Sequence, residues 1–334
     1  MRNAILIFIL LLLSSCEKIV KFNEDDVKFD GLTVNALAST DSVFSVSVTK
    51  AYPFYNKQAI LGGSDHWVYQ ALQEEMYEQF YRDSATVADA NVSLSINHNK
   101  TVTMSYDQEK YCYVSSYIPQ SGDCIKITIE NRGISTTSNE IEIPNYPHLE
   151  IMSYTKMYSP KNSTITDDGL YDSMGKDTIA RVTLKICDPS YENNFYRLKV
   201  RSYALSSYEN GEIAYIHNDI FTSDNEIFFD NQLFRSYRGW PAFFSNVFSD
   251  QHFNGENYEF TVESRLRRGD PYTNHLIIEL QSITKDLYYY LKSTMLYRIT
   301  EQDAFTEPIH IHSNIKNGWG ILGGLSSDKH IIYL

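Results

Sequence analysis

Apolar and polar positions alternate along most of this chain. Leu32, Val34 and Ala36 oppose Thr33 and Asn35, while Phe44, Val46 and Val48 oppose Ser45 and Ser47. Thr40-Asp41-Ser42 lies between these runs as a turn. Period-two patterning of this kind predicts strands with one buried face. Further strands are expected at Val92/Leu94/Ile96, Thr101 to Tyr106, Tyr111 to Tyr117 and Ile125/Ile127/Ile129, with Pro119 and Gly122 breaking the last pair. Short strands with regular turn signals predict an immunoglobulin-like β-sandwich over residues 29–145.

One segment breaks the rhythm. Ser64 is placed to cap a helix from about Asp65 to Tyr81, with Val68, Leu72, Met76 and Phe80 at helical spacing and Glu74, Glu75 and Glu78 on its wet side. This predicts a helical insertion at about 64–83, either packed over a sandwich edge or serving as a lid or partner surface.

Pro144-Asn145-Tyr146-Pro147 marks the domain boundary, because two prolines impose an extended path outside a ladder. A second β-rich domain is expected over 148–334. Its strands are predicted near Leu149–Tyr154, Val182/Leu184/Ile186, Tyr196/Leu198/Val200, Glu226–Phe229, Tyr258/Phe260/Val262 and His275–Leu280. A short helix from about Lys285 to Arg298 follows, capped by Thr284 and striped by Leu287, Leu291 and Met295. The tail returns to strand at Ile309/Ile311, Trp319–Leu322 and Ile331–Tyr333. The expected fold class is therefore mainly β, a sandwich followed by a β-rich domain with one helix near the C-terminus.

The amino-terminal segment is different. Arg2 precedes an unbroken apolar run from Ala4 to Leu13, shorter than the ~20 residues a membrane-spanning helix needs. Leu13-Ser14-Ser15-Cys16 ends it and looks like a bacterial lipobox, which implies cleavage after residue 15 and lipid attachment at Cys16. Residues 16–28 form a polar tether containing Asn23-Glu24-Asp25-Asp26. These acids resemble a surface-export signal, although Lys18 and Lys21 interrupt the match, so the periplasmic and cell-surface faces both stay open.

A net charge of −13 argues against nucleic acid and against anionic headgroups as partners. Among 334 residues, 26 Tyr and 17 Phe suit half-buried pleated surfaces, or a ligand-stacking face. Beyond Cys16 the cysteines are Cys112, Cys124 and Cys187. Alternation points Cys112 inward and Cys124 outward, so no disulfide is expected.

Candidate chemistry is sparse. Gly318-Trp319-Gly320-Ile321-Leu322-Gly323 fits G-x-G-x-x-G, but loop and strand rather than a helix follow it and the sequence ends at Leu334, short of an acid ~20 residues on, so close backbone packing or a tight turn explains it better than a dinucleotide site. His310 and His312 are expected to share a strand face without an identifiable third ligand. Thr166-Asp167-Asp168-Gly169, with Asp172 and Asp177, forms an acidic loop without EF-hand order, and no metal or cofactor is assigned. Arg268-Gly269-Asp270 is short enough to occur by chance. Asp41-Ser42-Val43 and three similar triplets resemble short O-glycosylation sequons. Trp240, Phe243 and Phe244, in the run Arg238 to Phe244, are the candidate ligand-contact aromatics, with a plug closing a β core as the competing role. No G-x-S-x-G or H-E-x-x-H motif is present, and no catalytic residue is assigned.

Asp286 to Ser293, Glu307-Pro308 and Ser313 to Gly324 together resemble the closing signature of the domain-of-unknown-function family 4249 (DUF4249). Leu32 to Asn35, Pro119 to Gly122, Asp188-Pro189 and Asn194 to Leu198 agree with it. The resemblance implies a Bacteroidota outer-membrane lipoprotein, often encoded beside a TonB-dependent transporter. It implies no catalytic residue. The expected role is a non-catalytic accessory or ligand-binding partner of such a transporter. A structural adhesin or fibre component and a hydrolase with a scattered site are the alternatives.

Overall fold

The computed structural model describes residues 31–50, 85–159, 177–189, 192–208, 211–218, 221–229, 245–266, 275–300 and 309–334. The first half carries β1 (Leu32–Ser39), β2 (Ser45–Lys50), β3 (Asn91–Ile96), β4 (Lys100–Thr103), β5 (Ser105–Asp107), β6 (Cys112–Val114), β7 (Cys124–Asn131), β8 (Ile134–Ser138) and β9 (Ile141–Glu142). The second half carries β10 (Leu149–Ser159), β11 (Asp177–Cys187), β12 (Phe195–Tyr208), β13 (Gly211–Asn218), β14 (Val247–Ser249), β15 (Asn257–Leu266) and β16 (His275–Ile283). Helix α1 (Lys285–Thr300), β17 (Ile315–Lys316) and β18 (Gly318–Tyr333) complete it.

These strands form three sheets. The largest runs β13-β12-β16-β18-β1-β2-β6-β5, with β14 added to β12. A second sheet runs β17-β8-β7-β3-β4 with β9 on β7, and a third is β10-β11-β15. Two cores result. Val34, Val46, Leu94, Ile127 and Leu322 belong to one, and Leu184, Leu198, Leu280, Phe228 and Val262 to the other. Full burial of each such side chain contributes roughly 1.5–3 kcal/mol.

β18 belongs to both halves. Its first part pairs in parallel with β1, from Leu32↔Gly318 to Ser39↔Leu325. Its second part pairs antiparallel with β16, from Ile283↔Leu325 to His275↔Tyr333. A single strand thus knits the start of the described chain to its end, and the large sheet backs both cores. The two tail strands expected at Trp319–Leu322 and Ile331–Tyr333 are one continuous strand. Leu287 of α1 packs beside Ile283, Ile321, Leu325 and Val247 in a third, smaller cluster. Leu291 and Met295, farther along the expected stripe, are only half-buried.

Other expectations need correction. The run Thr101 to Tyr106 is split at buried Met104, with β4 and β5 in different sheets. Tyr113, not Cys112, faces inward. Its ring can be buried because the hydroxyl donates to Val87 O and accepts from Ala90 N, each at 2.9 Å. Cys112, Cys124 and Cys187 are free and half-buried. Glu226–Phe228 is a turn of 3-10 helix capped by the Asn225 side chain, not a strand. That turn drives Phe228 among Phe221, Phe248 and Phe260, with ring centroids 5.2 to 5.4 Å away. Ile309 and Ile311 lie outside any strand. Thr284 precedes α1 and its carbonyl accepts from Tyr288 N, but its hydroxyl accepts from Gly324 N at 3.1 Å. The helical insertion at about 64–83 lies outside the described residues.

Candidate functional site

A cleft of about 1100 Å³ opens at the junction of the two β units. One wall is the segment Glu140 to Asn145, which leaves the first unit towards the proline pair. The other is built from Glu192 to Phe195 and Ser249 to Gln251, and the floor runs from Ser282 to Asp286 with Tyr288 and Tyr289. Glu140, Glu142, Glu192, Asp250 and Asp286 line it against a single lysine, Lys285.

The aromatic face of the cleft comes from two elements distant in sequence. Phe195 begins β12, and its ring lies 4.8 Å from Tyr288 and 6.3 Å from Tyr289 on α1. The Tyr289 side chain is exposed. Lys292 lies over the Tyr288 ring, 5.7 Å from its centroid. Carboxylates and amides beside ring faces can accept hydrogen bonds from hydroxyl or ammonium groups while the rings stack on an apolar face.

Hydrogen bonds hold the walls. Asn194 N–H donates to Asp250 Oδ2 at 2.6 Å, and Tyr196 Oη donates to buried Asp188 Oδ1 at 2.5 Å. Burial pushes the Asp250 carboxyl above the usual aspartate value against the Asn194 N–H bond, and nearby Asp188 adds to the rise. At the floor, Asp286 bonds His312 Nε2 at 2.8 Å and accepts from Asn314 Nδ2 at 3.1 Å.

The sequence motifs therefore distribute differently from their expected roles. His310 is exposed while His312 is engaged by Asp286, so the two do not form a ligand pair on one strand face. The glycine motif is a packing device. Gly320 has φ +104°, and a Cβ there would collide with the Val34 carbonyl oxygen; one at Gly318 would lie 2.6 Å from Leu32 O. Asp41-Ser42-Val43 is an exposed turn. Cys16, Trp240, Phe243 and Phe244, the acidic loop at 166–172 and Arg268-Gly269-Asp270 lie outside the described residues.

Sequence reading missed the aromatic trio and one mixed donor cluster. The run Tyr288-Tyr289-Tyr290 was visible, but nothing local indicates that Phe195 meets it. His148, Glu150 and Cys187 place one nitrogen, one oxygen and one sulfur within 4.8 Å of one another, a donor set able to hold a metal. His148-x-Glu150 is legible as one strand face, whereas the third donor depends on how β11 is registered.

Among the described residues no helix is long and apolar enough to cross a membrane. No curated protein matches the chain. Among solved structures, one described provisionally as a membrane-anchored protein from Corynebacterium diphtheriae is similar at 12% identity and a TM-score of 0.20. That similarity covers 75% of this chain and 55% of the other, so the chain spans about half of its length. The model of the domain of unknown function DUF4249 matches residues 17–331, nearly the whole chain, and the protein belongs to that family.

Proposed function

We propose that this chain is a lipid-anchored outer-membrane accessory of a TonB-dependent transporter, binding the transporter or its ligand without covalent chemistry. The junction cleft carries this reading. It is open, rich in carboxylates and faced by an exposed tyrosine, which suits recognition of hydroxyl or cationic groups. Leu13-Ser14-Ser15-Cys16 supports the anchor, with several acyl chains holding the protein stably where one would not. The polar stretch behind Cys16 then acts as a tether between membrane and β units.

The test is photo-cross-linking in intact cells from a reactive residue placed at Tyr289. Capture of a TonB-dependent transporter is expected. Capture of only other copies of this chain, or unchanged nutrient-dependent growth when the chain is deleted, would overturn the reading. Fatty-acid labelling should be lost in Cys16→Ala; a labelled Cys16→Ala protein would refute the anchor.

A further inference from the structure

Away from the cleft, three donor groups converge at the root of the second β unit. His148 and Glu150 lie two apart at the entry to β10, so their side chains take one face. Cys187 ends β11 and is brought opposite His148 by its own N–H, which donates to the His148 carbonyl at 3.1 Å. His148 Nε2 is 3.5 Å from Glu150 Oε1, and Cys187 Sγ is 3.6 Å from the same oxygen.

Bonds of ~2.0–2.3 Å from a tetrahedral metal to N, O and S ligands place those ligands ~3.4–3.6 Å apart. Two edges of the cluster already have that length. The third, within 4.8 Å, must close by at most about 1.4 Å to reach the tetrahedral value, which the exposed His148 ring can supply by rotation. The backbone beneath is pinned. Leu149 N–H donates to Asp328 at 2.9 Å, and Asp188 accepts from Gly255 N at 2.8 Å. Lys185 Nζ holds Glu150 Oε2 at 2.8 Å, which leaves Oε1 turned to the other two donors. A carboxylate fixed this way by its outer oxygen is oriented as metal-binding carboxylates are by their outer partners. Glu259, paired with Lys185 in the β11–β15 register, offsets part of the lysine charge.

We propose that His148, Glu150 and Cys187 form a site for a borderline-soft divalent cation of the zinc class, with a fourth position open to water. Mixed N, O and S donors select such ions over magnesium or calcium, which take oxygen ligands. The site stands independently of the cleft.

Cobalt is the probe. The full mature chain, extracted in detergent and reduced, is titrated with Co²⁺ and then with Zn²⁺ as competitor. One equivalent should produce thiolate-to-cobalt charge-transfer absorption and tetrahedral d–d bands, displaced by Zn²⁺. Both signals should vanish in Cys187→Ser and persist in Cys112→Ser and Cys124→Ser. Loss of even an outer partner weakens metal sites ~10–100-fold, so His148→Ala and Glu150→Gln should each weaken binding about tenfold or more. Zn²⁺ should raise the melting temperature of the wild type but not of Cys187→Ser. Absence of the charge-transfer band, its survival in Cys187→Ser, or unchanged affinity in both His148→Ala and Glu150→Gln would overturn the proposal.

Discussion

The side chain of Asn314 forms a reciprocal pair with the backbone of Leu322, donating to its carbonyl and accepting from its N–H, each at 2.9 Å. The same amide nitrogen also reaches Asp286. One asparagine therefore ties the segment before β17 to the start of α1 and to the strand shared by both halves. Asn314→Ala leaves Leu322 N–H and C=O buried without these partners, and the expected loss of stability is roughly 2–4 kcal/mol. Chemical denaturation measures it. A midpoint unchanged from wild type would mean that water replaces the pair.

The parallel seam between β1 and β18 depends on glycine. Gly320→Ala places a methyl group against the Val34 carbonyl at φ +104°, so both strain and collision oppose it. The expected cost is roughly 2–4 kcal/mol. Gly133 also has positive φ, +82°, but open space around its Cβ position. Gly133→Ala should therefore cost only about 1–2 kcal/mol. Parallel thermal melts of the two variants check the ordering.

Glu279 makes stability depend on acid. It is buried in β16 and takes Arg201 Nη2 at 2.5 Å, Gln281 Nε2 at 2.6 Å and Ser327 Oγ at 3.1 Å. Burial pushes its carboxyl up, but the Gln281 and Ser327 bonds with the Lys199 and Arg201 charges more than offset this, and it titrates below the ordinary glutamate value. Its contribution is complete above the unfolded value of about 4.3 and is lost as pH falls through the lower folded value. Glu279→Gln should be less stable near neutral pH by roughly 2–4 kcal/mol. The gap should shrink on acidification below about pH 4. Urea midpoints across that range measure it.

Tyr289 tests the cleft without disturbing the core. Its side chain is exposed but its ring also meets Phe195, Tyr288 and His312, so Tyr289→Ala should cost only about 0.5–1.5 kcal/mol of stability. Loss of a central aromatic contact typically costs about 2 kcal/mol of binding, so on the proposed role co-purification of a partner transporter should fall markedly. Undiminished recovery would place the contact surface elsewhere.

The alternation at Leu32–Ala36, Val92–Ile96, Ile125–Ile129 and Val182–Ile186 and the helical spacing of Leu287, Leu291 and Met295 are local features, and they sufficed for a β-rich fold and one late helix. Alternation says which residues share a face because side chains of a strand repeat every two residues. It says less where both faces are half-buried, and so Tyr113 displaced Cys112 from the inward position. Nor does it separate a short apolar strand from one tight turn, as Glu226–Phe228 shows.

Pairing between strands is decided by packing over long sequence separations, and no local pattern contains it. Only the tertiary structure joined β1 to β18 and explained Gly320 by the Val34 carbonyl. Only it brought Phe195 to Tyr288 and Tyr289, and Cys187 to His148 and Glu150. Sequence by itself determined the β-rich class, most of the long strands and the late helix, through periodicity and local chemistry. Register and sheet order decided the sites, because side chains far apart along the chain share a surface only once the sheets have formed.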